Sequence, residues 1–309
     1  METQAIYRDI AKRCGGDVYI GVVGPVRTGK STFIKRFMET LVIPNITSEF
    51  ARERATDELP QSAAGRTIMT TEPKFIPEEA VKISLDDSAT LNVRMIDCVG
   101  YIVPSSLGYI ENEQPRMVVT PWFDKEIPFN LAAEIGTQKV INEHSTIGLV
   151  VTTDGSISDI PREEYEEAEQ RVVNELRQIN KPFVVLLNCT NPSAPAAVSL
   201  RASLEERYGV PVVAVNCLDL GEADIRVILS DVLFQFPVRE VAVSLPGWVT
   251  SLAPDHWLRT SLYDSIRQSA QDVERIGQLK SKITTLSECE YVSRVLVDNI
   301  DLGSGGASV

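Results

Sequence analysis

The chain has 309 residues, 43% of them hydrophobic, which is enough for a substantial core in one large domain with a smaller companion. Its formal net charge of −13 opposes DNA, RNA or an anionic lipid surface as the main partner. No apolar run reaches transmembrane length and the N-terminus lacks a signal-peptide core, while five scattered cysteines without a Cys-x-x-Cys pair disfavour zinc and disulfides, so the cytoplasm is the expected setting.

The first element is an apolar run at 18 to 23, a buried-strand pattern that breaks into Gly24-Pro25-Val26-Arg27-Thr28-Gly29-Lys30-Ser31-Thr32. This Gly-x4-Gly-Lys-Ser pattern has the composition of a phosphate cradle. Glycines let backbone N–H groups approach the phosphate oxygens, Lys30 offers an ammonium for the β and γ phosphates, and Ser31 offers a hydroxyl for Mg²⁺. A helix from Ser31 to about Leu41, with Phe33, Ile34, Phe37, Met38 and Leu41 at helical spacing, directs its positive end at the same charge. Arg27 occupies the loop position that in potassium-stimulated GTPases is often an ion-holding asparagine. Its guanidinium is read as positive charge supplied in cis, in the manner of an arginine finger, against the alternative of a salt-bridged or solvent-facing side chain.

Residues 44 to 80 read as a polar connection containing Thr70 and Thr71, candidates for the switch threonine that completes the Mg²⁺ shell and positions the attacking water. The pattern does not choose between them, and a solvated threonine pair is the alternative. The next strand, 91 to 96, ends in Asp97-Cys98-Val99-Gly100. Its Asp-x-x-Gly form suits a carboxylate that holds Mg²⁺ through water and a glycine whose N–H meets the γ phosphate. Trp122 and Phe123 follow in a long segment, readable as a self-association contact or, more ordinarily, as core packing.

Strand patterns at 146 to 151, 183 to 187 and 211 to 215 alternate with helices at 161 to 180 and 196 to 208, the latter closed by Gly209. Alternation of this kind predicts an α/β fold, a P-loop NTPase with a mostly parallel sheet flanked by helices and its ligand at the strand C-termini. Cys98, Cys189 and Cys217 each end an apolar run and are expected to be small core residues.

Guanine readers carry Asn-Lys-x-Asp after a late strand, whereas here the strand runs into Asn188-Cys189-Thr190-Asn191. Losing two hydrogen bonds to a charged acceptor removes about 3–6 kcal/mol of guanine preference, on the order of 10²–10⁴-fold. The last base-side loop, Val215 to Leu218, also lacks the usual small residues, and the neutral Asn191 is compatible with adenine, so ATP is the expected nucleotide. A GTPase switch, a nucleotide-binding scaffold without turnover and a small-molecule kinase are the weaker readings. The alternation ends near Pro237, placing an ATPase domain at 1–240. A second, partly helical domain follows at 241–309: a Val-rich run, a Pro246-Gly247-Trp248 turn, one long amphipathic helix from about Asp255 to Leu286, and a flexible Gly-Ser tail over 303–309.

Taken together, the Gly24 to Ser31 loop, Thr70 and Thr71, Asp97 to Gly100 and the degenerate Asn188 to Asn191 resemble the stage IV sporulation protein A family. These are spore-coat morphogenetic ATPases of endospore-forming bacteria related to translation-factor-type GTPases, and the likeness runs through the whole chain. The resemblance implies a mother-cell protein that binds and hydrolyses ATP with Mg²⁺ and polymerises with itself over the forespore surface as the basement layer of the coat. It implies Lys30 as the Walker A lysine, Thr70 and Thr71 as sensor threonines and Asp97 as the Walker B acid. Family members are longer, with a C-terminal region that contacts a small membrane-bound amphipathic peptide and other coat proteins; the present chain is therefore expected to be C-terminally truncated.

Overall fold

A computed structural model describes residues 3–60, 72–85, 89–106, 108–111, 114–271 and 273–309. In chain order the elements are α1 (Thr3–Arg13), β1 (Asp17–Val23), α2 (Lys30–Phe37, continued by a wider turn through Val42), α3 (Glu49–Asp57), β2 (Lys74–Leu85) and β3 (Ala89–Asp97). Two small hairpins follow, β4 (Ile110–Glu111) with β5 (Gln114–Pro115) and β6 (Met117–Thr120) with β7 (Phe123–Pro128). Next come α4 (Phe129–Lys139), β8 (Ile147–Thr153), α5 (Glu166–Gln178), β9 (Phe183–Asn188), α6 (Pro195–Tyr208), β10 (Val212–Val215) and α7 (Glu222–Phe234). The remainder holds β11 (Glu240–Ala242), α8 (Gly247–Thr250), α9 (Trp257–Gln271), α10 (Ile276–Thr284), β12 (Asn299–Asp301) and β13 (Gly306–Ser308).

Six strands form the central sheet in the order β10-β9-β8-β1-β3-β2, parallel throughout except for the β2–β3 pair at one edge. The parallel strands are apolar on both faces because both faces are covered. Val184 and Leu186 of β9 belong to a core shared with α1, α2 and α7 on one side, while Phe183, Val185 and Leu187 belong to a core shared with α5 and α6 on the other. Every βα loop of the parallel strands therefore opens at a common edge, which holds the nucleotide motifs. Gly209 closes α6 at φ +55°, and Cys98, Cys189 and Cys217 are buried, as the sequence pattern predicts.

Four expectations need correction. The connection read over 44 to 80 contains α3 and most of β2, whose ladder is broken between Ile76 and Val81 around Pro77, the edge-strand context in which proline is tolerated. Trp122 lies in the turn of the β6–β7 hairpin and Phe123 opens β7, paired with Thr120: Phe123 is 44% exposed and Trp122 half-buried beneath the Lys139 ammonium, so neither is a core residue.

The helix read over 255 to 286 is two helices. Arg275 turns extended at φ −123° and pairs with Pro237, and Gln278 Oε1 accepts from the N–H groups of Glu274 and Arg275, so the apolar stripe folds back on itself. Finally, the Gly-Ser tail is structured: β13 is the central strand of a β11-β13-β12 sheet, with Ala307 buried against Leu279, Ile283 and Leu286. Glycine-rich composition looks flexible in isolation, yet this strand has hydrogen-bonded neighbours on both sides, and Gly305 at φ +76° supplies its entry turn. Among the described residues no helix is long and apolar enough to cross a membrane.

Candidate functional site

The loop from β1 to α2 owes its shape to three residues in the left-handed half of backbone space: Gly24 (φ +137°), Arg27 (φ +64°) and Gly29 (φ +91°). At Gly24 a Cβ would lie 2.3 Å from the carbonyl oxygen of Val151, and at Gly29 it would lie 2.3 Å from Nδ2 of Asn188. Thr28 is buried and its hydroxyl donates to the Pro25 carbonyl at 3.0 Å, tightening the loop on itself. Val26 is also buried, and its N–H donates to the Tyr101 carbonyl at 2.9 Å. Ser31 and Thr32 lie in the first turn of α2.

Lys30 is buried, with Nζ donating to the carbonyls of Pro25 at 2.5 Å and Gly24 at 3.4 Å. Burial lowers its pKa, opposed by the nearby Cys98 and Asp97. The ammonium is thus folded back on its own loop, held by carbonyls that a phosphate can replace. Beside it, Ser31 Oγ donates to Asp97 Oδ2 at 2.6 Å, joining the start of α2 to the end of β3. The other carboxylate oxygen, Oδ1, is buried and makes no hydrogen bond, and burial raises the pKa of Asp97.

A buried carboxylate oxygen lacking a donor, next to a hydroxyl, is a hard-oxygen pair that fits Mg²⁺. Among the described residues there is no group of three or more His, Cys, Asp and Glu side chains placed to hold a metal. The Ser31–Asp97 pair suits a cation that takes its remaining ligands from phosphate and water.

Gly100 (φ +91°) closes the same edge. A Cβ there would lie 2.1 Å from the Gly24 carbonyl oxygen and 2.7 Å from Lys30 Nζ, so the Asp97 to Gly100 turn rests directly on the P-loop. Thr70 and Thr71 lie outside the described residues.

At the other end of the site, Asn188 is buried and bonded at both ends of its amide. Nδ2 donates to the Thr28 carbonyl at 3.0 Å and Oδ1 accepts from the Cys217 N–H at 3.1 Å, so one side chain links β9, the P-loop and the loop after β10. Asn191 is exposed and accepts from the Ser193 N–H at 3.2 Å, shaping the entry to α6. The structure thus brings Gly24 to Ser31, Asp97, Gly100 and Asn188 together, and leaves Asn191 at the rim.

Two features escaped the sequence reading. Glu169 of α5 is fully buried and accepts from Arg162 at 2.7 and 2.9 Å, from Tyr208 at 2.5 Å and from Thr152, bracing the loop that follows β8. The Arg162–Glu169 spacing on an otherwise acidic helix start is the one local signal of this brace. The other feature is Tyr101, directly after Gly100, which sequence pattern alone leaves as one more apolar position.

Residues 1–237 match the family model described as stage IV sporulation protein A, ATPase domain, and residues 238–309 match the middle domain of the same protein. Stage IV sporulation protein A of Bacillus anthracis is 52% identical over 309 residues, all of this chain and 63% of the relative. The protein of the same name from Bacillus subtilis (strain 168) is 50% identical over 309 residues, again all of this chain and 63% of the relative. That of Clostridioides difficile (strain 630) is 50% identical over 300 residues, 97% of this chain and 61% of the relative. The chain thus spans less than two thirds of the length of these curated relatives.

Proposed function

Because the chain belongs to the stage IV sporulation protein A family, we propose that it binds ATP at the β1–β3 edge and hydrolyses it to ADP and phosphate. Hydrolysis then acts as a switch for self-assembly into the basement layer of the spore coat on the mother-cell side of the forespore. The Ser31–Asp97 hydrogen bond with its unbonded buried Oδ1, set beside the Lys30 ammonium, is the observation that supports this most directly.

Lys30 leaves the Pro25 and Gly24 carbonyls for the β and γ phosphates, while the backbone N–H groups of 28 to 32 cradle the oxygens at the start of α2. Bound Mg²⁺ would be held by Ser31 and Asp97, with Thr70 or Thr71 as its switch ligand, and would neutralise charge shared by the β and γ oxygens. Gly100 offers its N–H to the γ phosphate, and Arg27 lends positive charge from within the loop. Asn188 holds the loops in register, and Asn191 at the rim offers a neutral amide compatible with adenine. We assign residues 1–240 to the ATPase domain and 241–309 to the start of the second. Coat proteins and a small membrane-bound amphipathic peptide are the proposed partners of the longer protein.

Phosphate release from ATP and from GTP with Mg²⁺, wild type beside Lys30→Ala, tests the reading. The expected result is ATP-selective release that falls by at least about 100-fold in the variant. GTP-favoured release would overturn the base assignment, and Lys30-independent release would overturn the site.

A further inference from the structure

Tyr101 follows Gly100 directly, and a side chain at this point stands at the phosphate edge if it turns inward. It turns the other way. The residue is 2% exposed, its hydroxyl donates to Glu175 Oε2 of α5 at 2.5 Å, and the guanidinium of Arg171 lies 4.2 Å from its ring centroid. Arg171 is itself held by Glu175 at 3.3 Å and by Glu134 of α4 at 2.8 Å. Burial, and after it the Glu175 carboxylate, push the phenol's pKa upward, so the hydroxyl stays a neutral donor.

The backbone of the same residue faces the nucleotide loop. Its carbonyl accepts from the Val26 N–H, and Tyr101 pairs with Pro25 as a continuation of the parallel β1–β3 ladder past the ends of both strands. Gly100 is therefore fixed from two sides: against the Gly24 carbonyl and Lys30 by steric fit, and against α5 by the side chain that follows it. A glycine N–H contributes to transition-state stabilisation only when it is preorganised, because a donor that must reorient gives up much of its effect. Glycine has no side chain with which to anchor itself, so its neighbour has to supply the anchor.

We infer that Tyr101 is the positioning residue of the γ-phosphate-sensing turn: the chain Tyr101–Glu175–Arg171–Glu134 holds the Gly100 N–H in place and ties its position to α5 and α4. This rests on the ATPase reading above. The far end of the chain matters as well. Helix α4 begins where the β6–β7 hairpin ends, and the Arg116 guanidinium at the start of that hairpin lies 5.1 Å from the ring centroid of Phe129, the first residue of α4. The contacts from Tyr101 thus end on the same helix whose first residue packs against an exposed hairpin bearing Met117, Val119 and Phe123.

The test uses the full chain and four variants. Tyr101→Phe keeps the ring and removes the donor; Glu175→Ala removes the acceptor; Glu175→Gln keeps an acceptor; the fourth combines Tyr101→Phe with Glu175→Ala. Tyr101→Phe and Glu175→Ala are each expected to lower kcat for ATP about ten-fold or more while the affinity for a fluorescent ATP analogue changes less than about three-fold. The double variant falls no further than either single one, and Glu175→Gln recovers most of the rate.

Wild-type kcat in Tyr101→Phe overturns the inference. So does a loss in Tyr101→Phe that Glu175→Ala does not share, since the phenol would then not be acting through Glu175. Loss of analogue binding and early melting in both, unrescued by Glu175→Gln, overturns it too. Hydrogen exchange separates failure of this inference from failure of the ATPase reading. On adding a non-hydrolysable ATP analogue, amides of 129–139 gain protection in wild type and not in Tyr101→Phe, whether or not turnover is measurable. Equal protection in both defeats the coupling.

Discussion

The proposed phosphate edge and the proposed base edge of this site are built by different means. At the proposed phosphate edge the backbone itself would be the recognition surface. Gly24, Gly29 and Gly100 sit at φ values that favour glycine, with neighbours that leave no room for a Cβ, and a buried ammonium and a hydroxyl–carboxylate pair converge on the same few ångströms. At the base edge one side chain, Asn188, ties three loops together from the inside, and the residue at the rim, Asn191, spends a hydrogen bond on its own chain. A phosphate carries the same charge and shape in every nucleotide, so its cradle can be rigid. A base is read by side chains, and here few are committed to reading it.

The contrast predicts that substitutions at the phosphate edge are the more damaging. Gly24→Ala puts a methyl group 2.3 Å from the Val151 carbonyl oxygen, a backbone atom of the adjacent strand that has no rotamer to escape into, at a φ of +137°. The expected outcome is a fall in ATP affinity of more than about 100-fold with a few kcal/mol of lost stability. Titration with a fluorescent ATP analogue and a urea melt measure both, and wild-type affinity would show that the cradle tolerates relaxation.

Asn188→Ala is expected to do less. It leaves the buried Thr28 carbonyl and Cys217 N–H without their partner, a cost of about 1–3 kcal/mol, and weakens ATP and GTP alike by about ten-fold because the whole loop array loosens. A loss confined to one of the two nucleotides would make Asn188 a base reader and erase the distinction drawn here.

These edges also differ in how much of them is written locally in the chain. Gly24, Gly29, Lys30 and Asp97 are legible because the demand on each is local: a φ value, a close approach, a charge at the end of an apolar strand. The doubly covered strands are legible for a similar reason, since β9 is buried on both faces and runs apolar from Phe183 to Leu187 before Asn188 ends it. What depends on distant partners is not legible. Tyr101 meets Glu175 across 74 residues of sequence, and Asn188 meets Thr28 across 160. The break between α9 and α10 comes from the pairing of Arg275 with Pro237, and β13 is a strand only because β11 and β12 flank it. Edge strand β2 stays hidden because glutamates and Pro77 interrupt its apolar alternation.

The smallest expected effect falls at the rim. Asn191→Asp supplies the carboxylate that a guanine reader needs, and two full hydrogen bonds from guanine to it would be worth about 3–6 kcal/mol. The position is poorly prepared to collect that energy. Asn191 is exposed and already accepts from the Ser193 N–H, an Asp there would strengthen that local bond, and the position that carries lysine in guanine readers is the buried Cys189. The loop after β10 presents an exposed Leu218 in place of small residues. The ratio of GTP to ATP affinity should therefore rise by less than about ten-fold, read by competition against one fluorescent nucleotide. A rise of about 100-fold or more would mean that the rim already holds a base in a fixed pose. The base edge would then be as firmly preorganised as the phosphate edge, and nucleotide choice would turn on one carboxylate rather than on the combined absence of lysine, aspartate and a small-residue loop.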